Sequence, residues 1–320
     1  MSHHLNDKIW LIGAGPMAID YARVLSEMSV SFDIIGRGQK SADDFYAKTG
    51  KKVFVGGLEK RCIETMELPC AAIVAVGVEQ LASVTHLLLR KGVKKILVEK
   101  PAGLNENDIK SVFEVAQKLE AGVYVAYNRR FYASTLKAKD LILEDGGVTS
   151  FLFEFTEWSH EIIKLEKEPV IRENWFLANS SHVVDLAFYL GGRPKKISSY
   201  VLGGSTWHPS GSIYAGAGLS ETGALFSYHA NWEAPGRWGI EILTKKHRLI
   251  LRPLEKLQWQ KIGNVGIEFV EINDELDKKF KPGLFRQVEA FLSGRADLLL
   301  SIKEHVQNLH YYEIIKTSNA

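Results

Sequence analysis

The chain has 320 residues, 46% of them hydrophobic, with 40 Lys and Arg against 38 Asp and Glu for a formal net charge of +2. That length exceeds what one hydrophobic core organises and predicts two domains, and the composition excludes a disordered chain. With no long Lys/Arg run a nucleic-acid partner is excluded, and two cysteines, Cys62 and Cys70, are too few for a disulfide framework or a four-cysteine zinc site.

No apolar run reaches membrane-spanning length and the N-terminus lacks the pattern of a signal peptide, so no membrane partner and a cytoplasmic address are expected. The adjacent His3 and His4 read as incidental, and no metal site is expected.

Residues 8–125 alternate between short apolar runs and amphipathic segments, the pattern of parallel strands with crossover helices. The strand runs fall at 8–12, 30–35, 53–55, 71–76, 96–98 and 123–127. Helices are expected at 17–27, at 81–91 before Gly92, and at 106–120 with Asn105 as N-cap. The expectation is an α/β fold whose first domain, 1–125, is a Rossmann-type doubly wound parallel sheet.

Beyond Phe131 the texture changes. A helix at 134–143 is followed by strand-like runs at 149–157, 197–202, 224–230, 238–243 and 248–251, which suggest a large, open, mostly antiparallel sheet. One strong helix, 181–190, stops at Gly191-Gly192 with Pro194 beyond. The second domain is therefore an α+β domain, 126–320, whose closing helix, 302–316, is expected to pack back on the first. No flexible linker separates them.

The first strand run leads directly into Gly13-Ala14-Gly15-Pro16-Met17-Ala18 and then a helix. Gly13 suits the tight turn, Gly15 lets the backbone approach a pyrophosphate, and small Ala18 lets the helix pack near the strand, so this is a dinucleotide site. The acid that would hold a ribose diol about 20 residues later is replaced by Gly36. Arg37, Gly38, Gln39, Lys40 and Ser41 follow as a cationic, hydroxyl-bearing loop suited to a 2′-phosphate. NADP is favoured; NAD remains open, with Asp33 in the ribose role and Arg37 stacked on adenine or facing water. Val76, at the end of the fourth run, is counted with the cofactor contacts, as are Ala14, Pro16 and Met17.

The fifth strand run ends in Glu99-Lys100-Pro101, at the sheet edge where doubly wound folds bind ligands. Proline restricts the backbone of Lys100 and so aims its side chain. A lysine beside a positively charged nicotinamide releases its proton more readily, which suits a general base; the reverse reaction uses the ammonium as acid. Glu99 is placed to orient that ammonium.

With its glycine turn, Glu99-Lys100-Pro101, Tyr127-Asn128-Arg129-Arg130-Phe131 and the later hairpin at 238–253, the whole chain resembles the glucose-fructose oxidoreductase/inositol dehydrogenase/MocA family. The resemblance implies hydride transfer between a nicotinamide cofactor and a secondary alcohol of a sugar, polyol or nucleotide-linked sugar. It implies Lys100 as acid/base, Asn128 and Arg129 on the nicotinamide or substrate side, and a homodimer or homotetramer formed through the second domain's sheet.

It also implies an Asp four residues before His182, where this chain has Ala178; Asn179 offers a hydrogen-bond partner but no charge. His182, expected in the first turn of its helix where the dipole disfavours a protonated ring, is the second catalytic candidate. Asp185 would either orient it or face solvent. Arg172-Glu173-Asn174-Trp175 offers a cation and an aromatic face for a sugar, with Arg172 and Trp175 as candidate contacts. Two other readings stand beside this one: a nicotinamide-binding regulator without catalysis, and a tightly held cofactor serving elimination or epimerisation.

Overall fold

The computed structural model describes residues 8–65 and 67–318, so His3 and His4 lie outside it. The chain divides into two compact units: the described chain up to Tyr127 together with Leu284–Gln307, and Asn128–Gly283 together with the described residues from Asn308 on.

The first unit alternates strands and helices: β1 (Ile9–Ile12), α1 (Pro16–Glu27), β2 (Phe32–Gly36), α2 (Gln39–Thr49), β3 (Val53–Val55), α3 (Gly57–Glu64), β4 (Ala71–Val74), α4 (Leu81–Arg90), β5 (Lys95–Glu99), α5 (Glu106–Lys118) and β6 (Gly122–Ala126). The strands lie in the order β6-β5-β4-β1-β2-β3, all parallel, so the chain reverses direction between β1 and β4. β1 and β4 are buried at every position, as strands covered by helices on both faces must be. Asn105 caps α5, its side chain accepting from the Asp108 backbone N–H at 3.1 Å, while the Asp108 carboxylate accepts from the Leu104 N–H at 2.9 Å.

The expected loop at 37–41 is shorter than the sequence suggests. Gly38 is the N-cap of α2, so Lys40 and Ser41 stand in that helix's first turn and only Arg37 and Gly38 form the connection.

The second unit contains α6 (Ala133–Glu144), β7 (Ser150–Glu154), α7 (Ser159–Ile162), α8 (Pro169–Glu173), a π-helical turn at Phe176–Ser180, α9 (Ser181–Gly191), β8 (Pro194–Leu202), β9 (Ile213–Ser220), β10 (Leu225–Asn231), β11 (Gly239–Leu243), β12 (His247–Leu251), β13 (Gln258–Lys261), β14 (Glu268–Phe269) and α10 (Glu275–Lys279). Its eight strands run in the order β14-β13-β12-β11-β7-β10-β9-β8, antiparallel except for the parallel pair β7–β10. α9 covers one face, where Phe188 meets Phe151, Phe153 and Phe226 at 5.4–6.2 Å between ring centroids. The opposite face leaves Tyr200, Leu202 and Leu225 exposed.

β9 escapes the sequence reading because its centre, Ala215-Gly216-Ala217-Gly218, looks like a loop. The glycines are demanded by β10: a Cβ at Gly216 would lie 2.3 Å from the Tyr228 ring and one at Gly218 2.4 Å from the Phe226 ring, the residues paired with them across the ladder. Aromatic rings here fill the space that strand side chains usually occupy.

The chain then returns to the first unit through α11 (Leu284–Leu292) and β15 (Leu300–Ser301), before α12 (Ile302–Lys316). β15 adds antiparallel to β6, and Phe291 of α11 lies edge-on to Tyr124 at 6.3 Å. From Asn308 onward α12 belongs to the second unit, where Tyr312 meets Phe176.

Candidate active site

In the first unit the ladder register puts the chemistry on one edge. Ile12 pairs with Val74 and Val74 with Val98, so the residues after β1, β4 and β5 emerge side by side. At about 4.8 Å between strands, the Gly13 turn and Lys100 are separated by roughly 10 Å along that edge.

The two glycines of the turn have different reasons to be glycine. Gly13 has φ +126°, and a Cβ there would sit 2.1 Å from the Ala75 carbonyl oxygen, so the fold itself requires it. At Gly15, the N-cap of α1, a Cβ would meet nothing within 4 Å. Its openness leaves a bare backbone cradle at the start of a helix with Pro16 at its first position, suited to a diphosphate. Ala18 is fully buried, Met17 is half-buried and Pro16 exposed, and Val76 stands two residues past β4.

Gly36 ends β2 with Val53 and Ala14 at 2.9 and 3.1 Å from where its Cβ would be, so no acid fits there. Asp33 is three residues back along the strand, about 10 Å by strand rise, and its carboxylate is held by Lys8 at 2.8 Å and Arg61 at 2.9 Å. Asp33 is thus paired with two cations, away from the end of the strand. Arg37 is exposed beside Gly57, on the wall of a cavity of about 520 Å³ between the start of α3 and the face of α4 bearing Ser83 and His86, with Gln80 just before that helix.

At the end of β5 the Glu99 carboxylate accepts a 2.6 Å hydrogen bond from the Tyr21 hydroxyl on α1, whose phenol burial and Glu99 together push well above its usual value. Glu99 is thus tied to α1. The Lys100–Pro101 peptide is cis, and the Pro101 carbonyl is 3.0 Å from Nε2 of His305, a wholly buried ring packed on Tyr127. The half-buried Lys100 leaves the sheet on a turn fixed from both sides.

In the second unit, the polar candidates gather around Glu157 and Trp238. Glu157, three residues past β7, is 1% exposed and accepts from Asn179 Nδ2 at 2.9 and 3.1 Å and from Ser180 Oγ at 2.7 Å, with Arg237 Nη1 at 3.5 Å. Burial pushes the carboxyl up, while Ser180, Arg237, Asn179 and the Trp175 indole oppose that rise. A buried carboxylate from another element thus stands beside Asn179 and Ser180.

Arg237 lies over Trp238 at 4.8 Å and Trp158 at 4.7 Å, and Arg129 lies over Trp238 at 4.7 Å. Burial depresses the Arg129 guanidinium, with Arg237 adding repulsion against the pull of Tyr132, Glu255 and Glu157. His182 packs against the same indole at 6.3 Å.

His182 does not stand at a helix start. Ser180 is itself helical, and the bonding runs back through the π-helical turn to Asn174, whose carbonyl accepts from Ala178 N–H at 2.9 Å. No open helix end faces the ring, and the dipole reading of its protonation falls. Asp185 is 2% exposed and bonds Arg130 twice, Nε to Oδ2 at 2.7 Å and Nη2 to Oδ1 at 2.6 Å, so it neither faces solvent nor stands over for His182. Burial alone would lower the Arg130 pKa; Asp185 carries it well above the usual value.

Two further candidates are engaged by their own surroundings. Asn128 Nδ2 donates to the Pro282 carbonyl at 2.9 Å, and Arg172 Nη2 to the Leu165 carbonyl at 2.5 Å, bracing the α7–α8 segment. Trp175 is buried against Trp207 and Glu157. Glu157, Arg237 and Trp238 were not among the candidate site residues: a lone Glu after a strand carries no motif, and only the fold reveals its burial. Among the described residues, no group of three His, Cys, Asp or Glu side chains is placed to hold a metal ion, and no helix is long and apolar enough to cross a membrane.

No protein-family model matches this chain, and no curated protein matches it. Solved structures do. A UDP-N-acetylglucosamine 3-dehydrogenase from Acidithiobacillus ferrooxidans superposes with a TM-score of 0.73 at 13% identity, over 97% of this chain and 96% of that one. Levoglucosan dehydrogenase, in complex with NADH and levoglucosan, gives 0.75 at 19% identity over 96% and 95%. An oxidoreductase from Thermotoga maritima gives 0.76 at 19% identity over 98% and 96%. The chain has the two-domain fold of these proteins along essentially its whole length, the fold that the resemblance of its motifs implies.

Proposed function

We propose that this protein is a nicotinamide-dependent dehydrogenase acting on a secondary alcohol of a sugar or sugar derivative, with Lys100 as the general acid/base. The observation that carries it is the shared sheet edge: the open Gly15 cradle at the start of α1 and Lys100 at the end of β5, two strands apart in register. The neighbours of the same fold are dehydrogenases of a nucleotide-linked sugar and of levoglucosan.

The cofactor, when bound, supplies or accepts the hydride. Gly13, Ala14, Gly15, Pro16 and Met17 would hold its diphosphate, with Val76, Glu99 and Asn128 as further contacts. Lys100 takes the hydroxyl proton during oxidation and returns it during reduction. Of the second unit's residues, His182, Asn179, Arg129, Trp175, Asn128 and Arg172 are the substrate-reading candidates.

We assign NADP in preference to NAD. Gly36 leaves no room for the acid that would hold a ribose diol, and exposed Arg37 stands just before the first turn of α2 with Lys40 and Ser41. The exposed sheet face bearing Tyr200, Leu202 and Leu225 supports a homo-oligomer built on that face.

Lys100→Ala tests the assignment. NADPH binding should persist while kcat falls by roughly 10²–10⁴, the usual worth of a positioned acid/base. A Lys100→Ala protein with full turnover would remove the mechanism.

A further inference from the structure

Two guanidinium groups in the second unit share one indole and are poorly matched in charge. Arg129 and Arg237 stand 4.7 and 4.8 Å from the Trp238 ring centroid. Glu157 is the carboxylate at salt-bridge distance, 3.5 Å from Arg237, and its two oxygens already accept from Asn179 and Ser180. Glu255 acts on Arg129 only through space. Only one carboxylate, Glu157, comes within ion-pair distance of either cation, and its charged form is itself disfavoured by burial.

We propose that Arg129 and Arg237, held on Trp238, form a subsite for an oxyanion, so that the sugar this protein acts on carries a carboxylate or a phosphate. A planar guanidinium presents a fork of donors that matches such an oxyanion, and stacking on an aromatic face fixes the fork's direction in advance. Arg237 is 45% exposed, open to an incoming ligand. Packing alone explains a single Arg on an indole, but not two like charges gathered on one ring with a single ion-pair contact between them. His182, on the same indole, places the substrate-reading side chains of the proposed dehydrogenase beside this subsite. The inference rests on that reading for its substrate to be a sugar; the oxyanion preference rests on the guanidinium pair alone.

The test is calorimetric titration of the full chain, with and without NADP⁺, using glucose, glucuronate and glucose 6-phosphate as probes, repeated for Arg237→Met and Arg129→Met. One or both anionic sugars should bind roughly 10- to 100-fold more tightly than glucose, the usual worth of a charged hydrogen-bonded contact. Arg237→Met should erase that preference and leave NADP⁺ binding unchanged, the retained NADP⁺ binding showing that the variant is folded although Glu157 has lost its cation. A preference for glucuronate alone identifies a carboxylate, and for glucose 6-phosphate alone a phosphate. Glucose binding as well as both anions, neither anion binding, or a preference that survives in both variants overturns the subsite. Oxidation of the bound sugar, followed by nicotinamide absorbance, is read separately: anion preference without turnover supports the subsite and counts against the dehydrogenase.

Discussion

On the sheet edge of the first unit, the proposed site is built from backbone: the Gly13 turn, the bare Gly15 cradle and the Glu99-Lys100-Pro101 turn each occupy a few consecutive residues at a strand end. In the second unit, the cluster around Trp238 is built from side chains that are distant in sequence, with Arg129, Glu157, the Asn179–His182 stretch and Arg237 arriving from four separate segments. A backbone site is written locally and leaves a motif. A side-chain site is written by the fold, and its members resemble ordinary surface or core residues until the chain is folded.

The largest expected effect lies in the second unit's support. Asp185→Asn leaves the Arg130 guanidinium without its charge partner and should cost about 3–5 kcal/mol, as breaking a buried ion pair does. Urea unfolding measures it; a loss well under that range would mean that Arg130 finds another partner and that the second unit is less tightly specified than the first.

A smaller effect separates the two glycines of the first unit. Gly13→Ala forces a side chain into φ +126° and against the Ala75 carbonyl, so it should lose at least about 1–3 kcal/mol of stability. Gly15→Val has open space and an ordinary extended φ of −88°, so its unfolding midpoint should stay near that of the parent while NADPH binding fails. If Gly15→Val binds NADPH normally, the backbone cradle is not the cofactor site.

The legible parts of the chain follow this division. The strand-turn-helix at 9–27, the Asn105 cap and the end of β5 at Glu99 could be read directly, because each is set by neighbours within a few residues. β9 could not, since Gly216 and Gly218 answer to Tyr228 and Phe226 on the next strand. The return of α11 and β15 to the first unit was hidden for the same reason: nothing local in Leu284–Leu292 says which sheet it will cover. His182 shows the limit most clearly. Its place near the start of α9 was visible, but the π-helical turn that removes the open helix end was not, and the electrostatic reading failed with it. Glu157 was invisible as a site residue because its meaning lies entirely in its burial beside Asn179 and Ser180.

The most direct test of the nicotinamide site is a tryptophan-fluorescence titration with NADPH and NADH, for the parent protein and for Arg37→Ala, with 7 Trp residues as reporters. The parent should bind NADPH at least roughly tenfold more tightly than NADH, the worth of a charge-assisted contact to the 2′-phosphate, and Arg37→Ala should bring the two affinities together. Binding of neither nucleotide would contradict the dinucleotide site itself, and equal binding of both by the parent would contradict the role assigned to Arg37.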